Sequence, residues 1–315
     1  MDVLTDLLQR SQARGAAFSH STVHGDWGVR FGPVGGLAVH GVVDGETHLW
    51  VDDPGDALRL LPGDIVLVRG ALTHHMAHAP GAPCLPLEQC LVAAGTSRRA
   101  VLGDPEDGAP AVFFCGAYMF EGDLCSSLLE ALPDLVHLRP AAGSALRATM
   151  DLLAGEMLRD DPGQQTLLDR LLDVALVQVL RDHLAARETA APAWYRALAD
   201  RHVGAALRAF HADPAHPWTV AELAAVAALS RATFARRFTE QLGVAPLAYL
   251  TDWRMALAAE RLRATDDGLA GIAEAVGYTS EFSFAAAFKR RFGIAPGRWR
   301  TRARAGHAAA ALAAP

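Results

Sequence analysis

The sequence lacks any apolar run long enough to cross a membrane. A membrane-spanning helix needs about 20 consecutive apolar residues, whereas the apolar stretch 171–180 is interrupted by Asp173 and Gln178. The first residues, MDVLTDLLQR, also lack the basic and then apolar pattern of a secretion signal. We therefore expect a cytoplasmic protein with no membrane partner.

Cysteine is scarce as well, with four residues in the chain. Cytoplasmic thiols are kept reduced, so structural disulfides are not expected. Two interpretations of the cysteines stay open. They are small buried apolar residues, or they form a redox switch in which an oxidised thiolate changes the conformation of a sensor. The candidates for the switch are Cys84, Cys90 and Cys115.

An overall excess of positive charge, which would favour nucleic-acid binding, is missing: the net charge is −6. The charge is nevertheless unevenly distributed along the chain. From Trp194 onward there are 16 basic and 10 acidic residues, a net charge of +6, and before it 13 basic and 25 acidic residues, a net charge of −12. A basic C-terminal module joined to an acidic N-terminal one is typical of a DNA-binding protein with a separate sensor or assembly domain.

One segment of the basic module occurs twice. Residues 230–246, SRATFARRFTEQLGVAP, return 50 positions later as residues 280–296, SEFSFAAAFKRRFGIAP. Each copy begins with a serine that can cap a helix and reaches a glycine suited to the left-handed position after a helix. Each copy therefore predicts a helix of about three turns. Phenylalanines four residues apart predict its buried face, and basic residues predict its exposed face.

A short apolar helix and a tight turn precede each copy. This is the pattern of a helix-turn-helix motif, whose second helix enters the major groove of DNA. Residues 246–263 predict a connecting helix of about 27 Å, at about 1.5 Å per residue. Successive major-groove faces are about 34 Å apart, so both recognition helices could contact one side of a duplex.

Residues 218–300 resemble the DNA-binding domain of the AraC/XylS family of transcriptional regulators, in the segments LSRATFARRF, RMALAAERL, IAEAVGY and FKRRFGIAPGRWR. The resemblance implies a sequence-specific regulator that binds a double-stranded DNA operator. It acts with RNA polymerase as its partner, either as an activator that recruits the polymerase or as a repressor that blocks it.

The same resemblance assigns the residues that face DNA bases. They are Ala232, Ala235 and Arg236 in the first copy and Glu281, Ser283 and Ala286 in the second. Of these residues, Arg236 is expected to make the most specific base contact, because a guanidinium can bind guanine O6 and N7 together. We therefore expect the first copy to carry most of the specificity. Phosphate contacts, which add affinity and salt dependence, are expected from Arg231, Thr233, Arg237, Lys289, Arg290 and Arg298.

Residues 16–89 contain short β-like runs separated by Gly, Pro and Asp, which is typical of a small β-barrel. The segments 36–46 and 61–74 resemble the two motifs of the cupin barrel, and their arrangement is similar to the sensor domain of the reactive-chlorine-responsive branch of AraC-like regulators. Cupins that bind metal use histidines and an acid, which suit a divalent metal such as zinc. The candidate ligands are His40, His74 and His78, and the second choices are Glu46, His48 and His75. The alternative is a cupin domain without metal.

Residues 141–159 and 164–187 predict two long helices. They resemble the segment through which AraC-like regulators form a homodimer; the alternative is that they pack on the barrel. The predicted fold class is α+β in two domains: a cupin-like β-barrel sensor (1–138), a helical dimerisation segment and linker (139–192), and an all-α tandem helix-turn-helix domain (193–302), followed by a frayed tail (303–315).

The functional prediction is a regulator that is not an enzyme and whose sensor responds to a small-molecule, metal or redox effector. The alternative is a metal-dependent cupin enzyme with an accessory DNA-binding domain. A catalytic cupin needs an open metal position and a substrate pocket.

Overall fold

The computed structural model describes residues 14–34, 36–94, 99–119, 132–159, 161–186 and 191–313. These residues form two compact units, one up to residue 186 and one from residue 191, each with its own hydrophobic core. The predicted fold class is confirmed: the N-terminal unit is rich in strands and the C-terminal unit is helical. Among the helices in these ranges, none is both long and apolar enough to span a membrane. Cys125 lies outside the described residues.

The strands of the N-terminal unit are short, as the frequent Gly, Pro and Asp residues predict. They are β1 (Arg14–Val23), β2 (Gly28–Phe31), β3 (Gly36–Asp44), β4 (Thr47–Trp50), β5 (Leu58–Leu60), β6 (Ile65–Arg69), β7 (His74–Ala77), β8 (Leu85–Pro86), β9 (Arg99–Leu102), β10 (Ala111–Met119) and β11 (Leu135–Leu138).

These strands pair into two sheets. The larger sheet has the order β11-β6-β3-β10-β1-β9, and the smaller sheet has the order β5-β4-β7-β2-β8. Their inner faces pack on each other: the ring of Phe31 in the smaller sheet lies 4.7 Å from the ring of His40 in the larger one, measured between centroids. In the described residues the predicted barrel is therefore a two-sheet sandwich.

Within the described residues, three helices belong to the same unit: α1 (Leu87–Ala94), α2 (Ala145–Met157) and α3 (Gln164–Ala186). The last two cover the outer face of the larger sheet. A Cβ added to Gly41 would lie 2.2 Å from the ring of Phe114 and 2.6 Å from the methyl group of Met150 in α2. The Tyr118 hydroxyl donates a hydrogen bond to the Leu172 carbonyl in α3 at 2.5 Å. Strand β3 is thus buried on both faces, and the helical pair packs on the sandwich.

From residue 191 to residue 313, the C-terminal unit consists of α4 (Ala193–Ala199), α5 (Val203–Ala212), α6 (Val220–Val226), α7 (Arg231–Leu242), α8 (Pro246–Ala264), α9 (Leu269–Ala275), α10 (Glu281–Phe292) and α11 (Pro296–Ala313). The duplicated segment gives two helices of the same length, α7 and α10, each with 12 residues. Helix α11 continues to Ala313, through most of the tail 303–315; the fraying of this tail stays a prediction. Alanine, which is frequent there, has the highest intrinsic helix propensity.

Candidate nucleic-acid interface and a buried histidine pair

Local sequence fixes the ends of the two recognition helices, α7 and α10. The Ser230 side chain accepts a hydrogen bond from the Thr233 backbone N–H at 3.3 Å and caps α7. At the other ends, Gly243 and Gly293 adopt the left-handed backbone predicted for them, with φ of 74° and 77°. Ser280 holds the matching place before α10, but its side chain makes no capping hydrogen bond. The predicted serine cap is therefore formed in the first copy and not in the second.

Each recognition helix is held by a pair of phenylalanines. Phe234 and Phe238 in α7, and Phe284 and Phe288 in α10, are fully buried. The ring centroids within the pairs are 5.6 Å and 5.7 Å apart. Because residues four apart share one face of a helix, these pairs fix which face of each helix is turned outward.

The turns before the recognition helices have the same hydrogen bonds. In the first, the Leu229 N–H donates to the Ala224 carbonyl at 2.9 Å; in the second, the Tyr278 N–H donates to the Ala273 carbonyl at 2.8 Å. The residue preceding each donor has a positive φ, 50° at Ala228 and 80° at Gly277. Glycine adopts this conformation without strain, whereas alanine does not. The first turn therefore stores backbone strain that the second avoids.

The residues expected to read bases lie largely on the outward faces. Ala232 and Arg236 are exposed and Ala235 is half-buried, while Glu281, Ser283 and Ala286 are all exposed. The guanidinium of Arg236 donates to the Glu240 carboxylate one turn later at 2.9 Å, and both side chains are more than half exposed. Such an exposed pair contributes only about 0.3–0.5 kcal/mol, so little free energy is needed to separate Arg236 from Glu240.

Four of the residues expected to contact phosphates are exposed side chains: Arg231, Lys289, Arg290 and Arg298. Thr233 is half-buried, and its hydroxyl lies 2.8 Å from that of Ser230. Arg237 differs from the others because it has a strong partner inside the protein.

That partner is Asp200, which lies between α4 and α5. Its Oδ2 accepts hydrogen bonds from Nε and Nη2 of Arg237 at 2.9 and 2.5 Å and from Gln241 at 2.7 Å. Its Oδ1 accepts the N–H groups of His202 and Val203 at 2.8 and 3.0 Å. Burial acts to raise the pKa of Asp200, but these hydrogen bonds outweigh it and hold the pKa far below its ordinary value. Arg237 therefore ties the first recognition helix to the junction of α4 and α5.

Sequence reasoning missed two residues of this surface. Asp200 carries no local signal, because its partners lie 37 and 41 positions away. The sequence does contain a signal for Phe282, because the 50-residue repeat aligns it with Ala232, which is expected to face bases. The Phe282 side chain is 89% exposed on α10.

In the N-terminal unit, two of the predicted metal ligands meet between the sheets. His40 in β3 and His74 in β7 are both buried, and their Nε2 atoms are 2.7 Å apart. The other ring nitrogen of His40, Nδ1, lies 2.8 Å from the sulfur of Cys115, its cross-strand partner in β10. Nδ1 of His74 lies 3.4 Å from the Leu72 carbonyl. The ring of Phe31 stacks on His74 with its plane tilted by 6°.

One arrangement of protons satisfies all the hydrogen bonds between these side chains and the Leu72 carbonyl. The Leu72 carbonyl accepts only, so His74 carries its proton on Nδ1 and accepts at Nε2 from the Nε2–H of His40; the Cys115 thiol then donates to Nδ1 of His40. Burial lowers the pKa of His40 well below its ordinary value, with a further contribution from His74. Burial also lowers the pKa of His74 to about 4. Both rings are neutral at neutral pH.

The third predicted ligand, His78, lies elsewhere. Its Nε2 is 3.3 Å from the Asp26 carboxylate, and its Nδ1 lies against the backbone of Trp27. It lines a surface cleft of about 410 Å³ together with Asp26, Trp27 and residues 79–83. The second-choice ligands also have other partners: Glu46 binds Arg59, His48 contacts the His78 carbonyl, and His75 stacks on Trp50.

This geometry does not fit a metal centre. Cys115 and His74 contact opposite nitrogens of the His40 ring, so the three groups do not converge on one point. Among the described residues, no group of three or more His, Cys, Asp or Glu side chains is arranged to hold a metal ion.

The three described cysteines have free thiols. Cys84 is half-buried, and Cys90 and Cys115 are buried. Burial raises the pKa of all three thiols, most strongly that of Cys115. A raised pKa reduces the fraction of reactive thiolate.

Comparison with known proteins assigns the family. A model of the cupin domain family matches residues 2–185, and a model of the helix-turn-helix domain family matches residues 223–302. A Streptomyces antibioticus protein named as an AraC-like transcription regulator is 36% identical over 309 residues, which cover 95% of this chain and 98% of that protein. The chain belongs to the AraC-like transcription regulators.

Two further proteins are similar to this AraC-like regulator. The RCS-specific HTH-type transcriptional activator RclR of Escherichia coli (strain K12) is 30% identical over 311 residues, covering 96% of this chain and 99% of RclR. The crystal structure of the DNA-binding domain of AdpA in complex with a target DNA matches with 31% identity and a TM-score of 0.32, over 34% of this chain and 96% of that domain.

The two family models match the same two parts of the AraC-like regulator that have separate hydrophobic cores. The cupin match includes both sheets and almost all of the helical pair α2 and α3, and the helix-turn-helix match includes both recognition helices. The chain is therefore a transcription regulator with a cupin sensor and a helix-turn-helix DNA-binding domain.

Proposed function

We propose that this regulator binds double-stranded operator DNA with α7 and α10 in successive major grooves. The observation that carries the proposal is the structural duplication: two helices of equal length, each anchored by a buried phenylalanine pair and each presenting exposed basic residues. The connecting helix α8, with 19 residues, is about 28 Å long at about 1.5 Å per residue. This length is close to the spacing of successive major-groove faces.

In this proposal Arg236 reads a guanine, and the exposed residues Arg231, Lys289, Arg290 and Arg298 bind phosphates. Arg237 is assigned to positioning α7 because Asp200 already binds its guanidinium. Thr233 is assigned to the cap of the same helix.

We also propose that the protein acts in the cytoplasm as a homodimer that activates transcription through RNA polymerase. The helical pair supplies an apolar surface for the second copy. Leu152 and Leu158 in and after α2, and Leu167 and Val174 in α3, are 46–67% exposed. Replacing Leu167 by Asp is expected to shift the protein to a monomer in analytical ultracentrifugation, and an unchanged dimer would place the interface elsewhere.

We propose three classes of effector for the sensor: a small molecule, a metal or a redox signal. The geometry gives little support to metal, because His40, His74 and His78 do not form one ligand set, and for the same reason it gives little support to a metal-dependent cupin enzyme. The raised pKa values of the thiols weigh against a redox switch. A small molecule at the cleft lined by Trp27 and His78 agrees best with the structure. An oxidant response that persists in a variant lacking Cys84, Cys90 and Cys115 would exclude these thiols as the sensor.

The test of DNA recognition uses the full-length protein and an operator selected from random duplexes. Arg236→Ala is expected to lose 1–3 kcal/mol of discrimination at one guanine, about 5- to 150-fold in affinity. The matched control is Arg208→Ala, an exposed arginine on α5 outside both recognition helices, which should leave discrimination unchanged. Equal binding of operator and random DNA by the unmodified protein would refute the proposed function.

A further inference from the structure

Phe282 is the most exposed large apolar side chain in the described part of the chain. Its exposed fraction is 89%, and the next value is 67% at Leu158. Its neighbours in α10 behave differently, since Phe284 and Phe288 are fully buried. The core of the C-terminal unit therefore does not use Phe282, although the helix that carries it is firmly anchored.

The duplication gives this residue a position in the proposed interface. Helices α7 and α10 start and end 50 residues apart, at Arg231 and Glu281 and at Leu242 and Phe292. Phe282 is thus the second residue of α10, as Ala232 is the second residue of α7. Ala232 is exposed and belongs to the face of α7 that is expected to read bases. In helix-turn-helix proteins the N-terminal residues of the recognition helix contact base edges.

A phenylalanine at this place can recognise one chemical group in the major groove. It has no hydrogen-bonding atoms, so it cannot use the donors and acceptors of the base edges. The thymine 5-methyl group is the apolar feature displayed there, and phenylalanine is among the side chains that contact it. The basic residues Lys289 and Arg290 are exposed further along α10, where they can hold the phosphates.

We propose that Phe282 reads thymine by contact with its 5-methyl group in the half-site bound by α10. The proposal rests on the proposed function, in which α10 occupies a major groove. It changes the role expected for the second copy, because this copy then discriminates bases through an apolar contact as well as holding the backbone.

An exposed aromatic residue is also a frequent anchor in protein–protein interfaces. Two observations favour DNA as the partner. Phe282 has the repeat position of a base-facing residue, and the exposed side chains on either side of it in the helix, Glu281 and Ser283, are polar. A protein partner is therefore an outcome of the test.

The test removes single methyl groups from the DNA. In the selected operator, each thymine of the α10 half-site is replaced in turn by deoxyuridine, and the affinity of the full-length protein is measured. The unmodified protein is expected to lose about three- to fivefold at one thymine, the effect of one buried methyl group. Phe282→Ala should bind the original operator more weakly by at least this factor and show no further loss at that thymine. Leu247→Ala, at an exposed apolar residue of α8 outside both recognition helices, should behave like the unmodified protein.

Two results would overturn the proposal. In the first, Phe282→Ala keeps the full sensitivity to deoxyuridine at every thymine, which would show that another residue contacts the methyl group. Alternatively, the variant keeps its operator affinity and loses self-association or transcription by added polymerase, which would assign Phe282 to a protein interface. Failure of the proposed function gives a different result, namely no preference for the operator in the unmodified protein and no effect of Arg236→Ala.

Discussion

The substitution Arg237→Ala tests whether Arg237 positions α7 or binds a DNA phosphate. The Asp200 side chain that would lose its partner is 10% exposed, and Arg237 is 41% exposed. Hydrogen bonds to charged groups contribute about 1.5–3 kcal/mol, and solvent at the guanidinium reduces this value. Asp200 keeps its bonds from Gln241 and two backbone N–H groups. We therefore expect the free energy of unfolding of the C-terminal unit to fall by about 2 kcal/mol.

The assay pairs two measurements on the full-length protein. Hydrogen exchange in urea reports the stability of the C-terminal unit separately from the N-terminal one, and operator affinity is measured as a function of salt concentration. Loss of one phosphate contact reduces the slope of log affinity against log salt by about 0.9. Arg237→Ala should lower stability and leave this slope unchanged.

Arg231→Ala is the matched control, because Arg231 is exposed on the same helix. It should reduce the salt slope by about 0.9 and change stability by less than about 0.5 kcal/mol. The assignment of Arg237 to positioning would be refuted if its variant kept its stability and lost about 0.9 of the salt slope.

Two further predictions concern backbone strain and buried charge. Ala228→Gly should raise the free energy of unfolding by up to about 1 kcal/mol by relieving a positive φ. Gly277→Ala should lower it by more than about 1 kcal/mol, since the new Cβ would lie 2.5 Å from the Ala215 carbonyl oxygen; thermal unfolding of both variants checks this. Burial lowers the pKa of His74 from 6.5 to about 4, so below pH 6.5 the unfolded chain binds more protons than the folded one. The contribution of His74 to the stability of the N-terminal unit should then be full above pH 6.5 and fall by about 3 kcal/mol as the pH approaches 4. Hydrogen exchange corrected for intrinsic rates should show this fall in the unmodified protein and a smaller one in His74→Gln.

The helix-turn-helix domain was predictable because local rules determine it. The serine, the phenylalanine pair and the glycine occur within 14 residues of each other in each copy, and each has a structural meaning that needs no knowledge of distant residues. The tertiary partners were not predictable in this way. An arginine on an exposed helix face has the same sequence pattern whether it binds a phosphate or Asp200.

The buried histidine pair shows the same limit in the N-terminal unit. His40 and His74 are 34 residues apart, and His40 and Cys115 are 75 apart. Their contacts depend on the register of β3 with β10 and on the packing of one sheet against the other, which the alternation of apolar residues does not determine. The sequence could predict which residues are chemically suited to a metal, but not that His78 lies apart from the other two.

In the proposed DNA interface, the two recognition helices differ in the kind of base contact that they offer. Arg236 on α7 provides a charged donor, and its exposed pair with Glu240, worth about 0.3–0.5 kcal/mol, is weaker than the 1–3 kcal/mol of a bidentate contact to guanine. In the proposed interface, the contact with guanine therefore outweighs the pair with Glu240. Helix α10 has Ala286 where α7 has Arg236, and Phe282 where α7 has Ala232. The exchange moves the larger reading side chain from the second turn of the helix to the first and replaces a charged contact by an apolar one. A selected operator should accordingly require a guanine in the half-site of α7 and a thymine in that of α10.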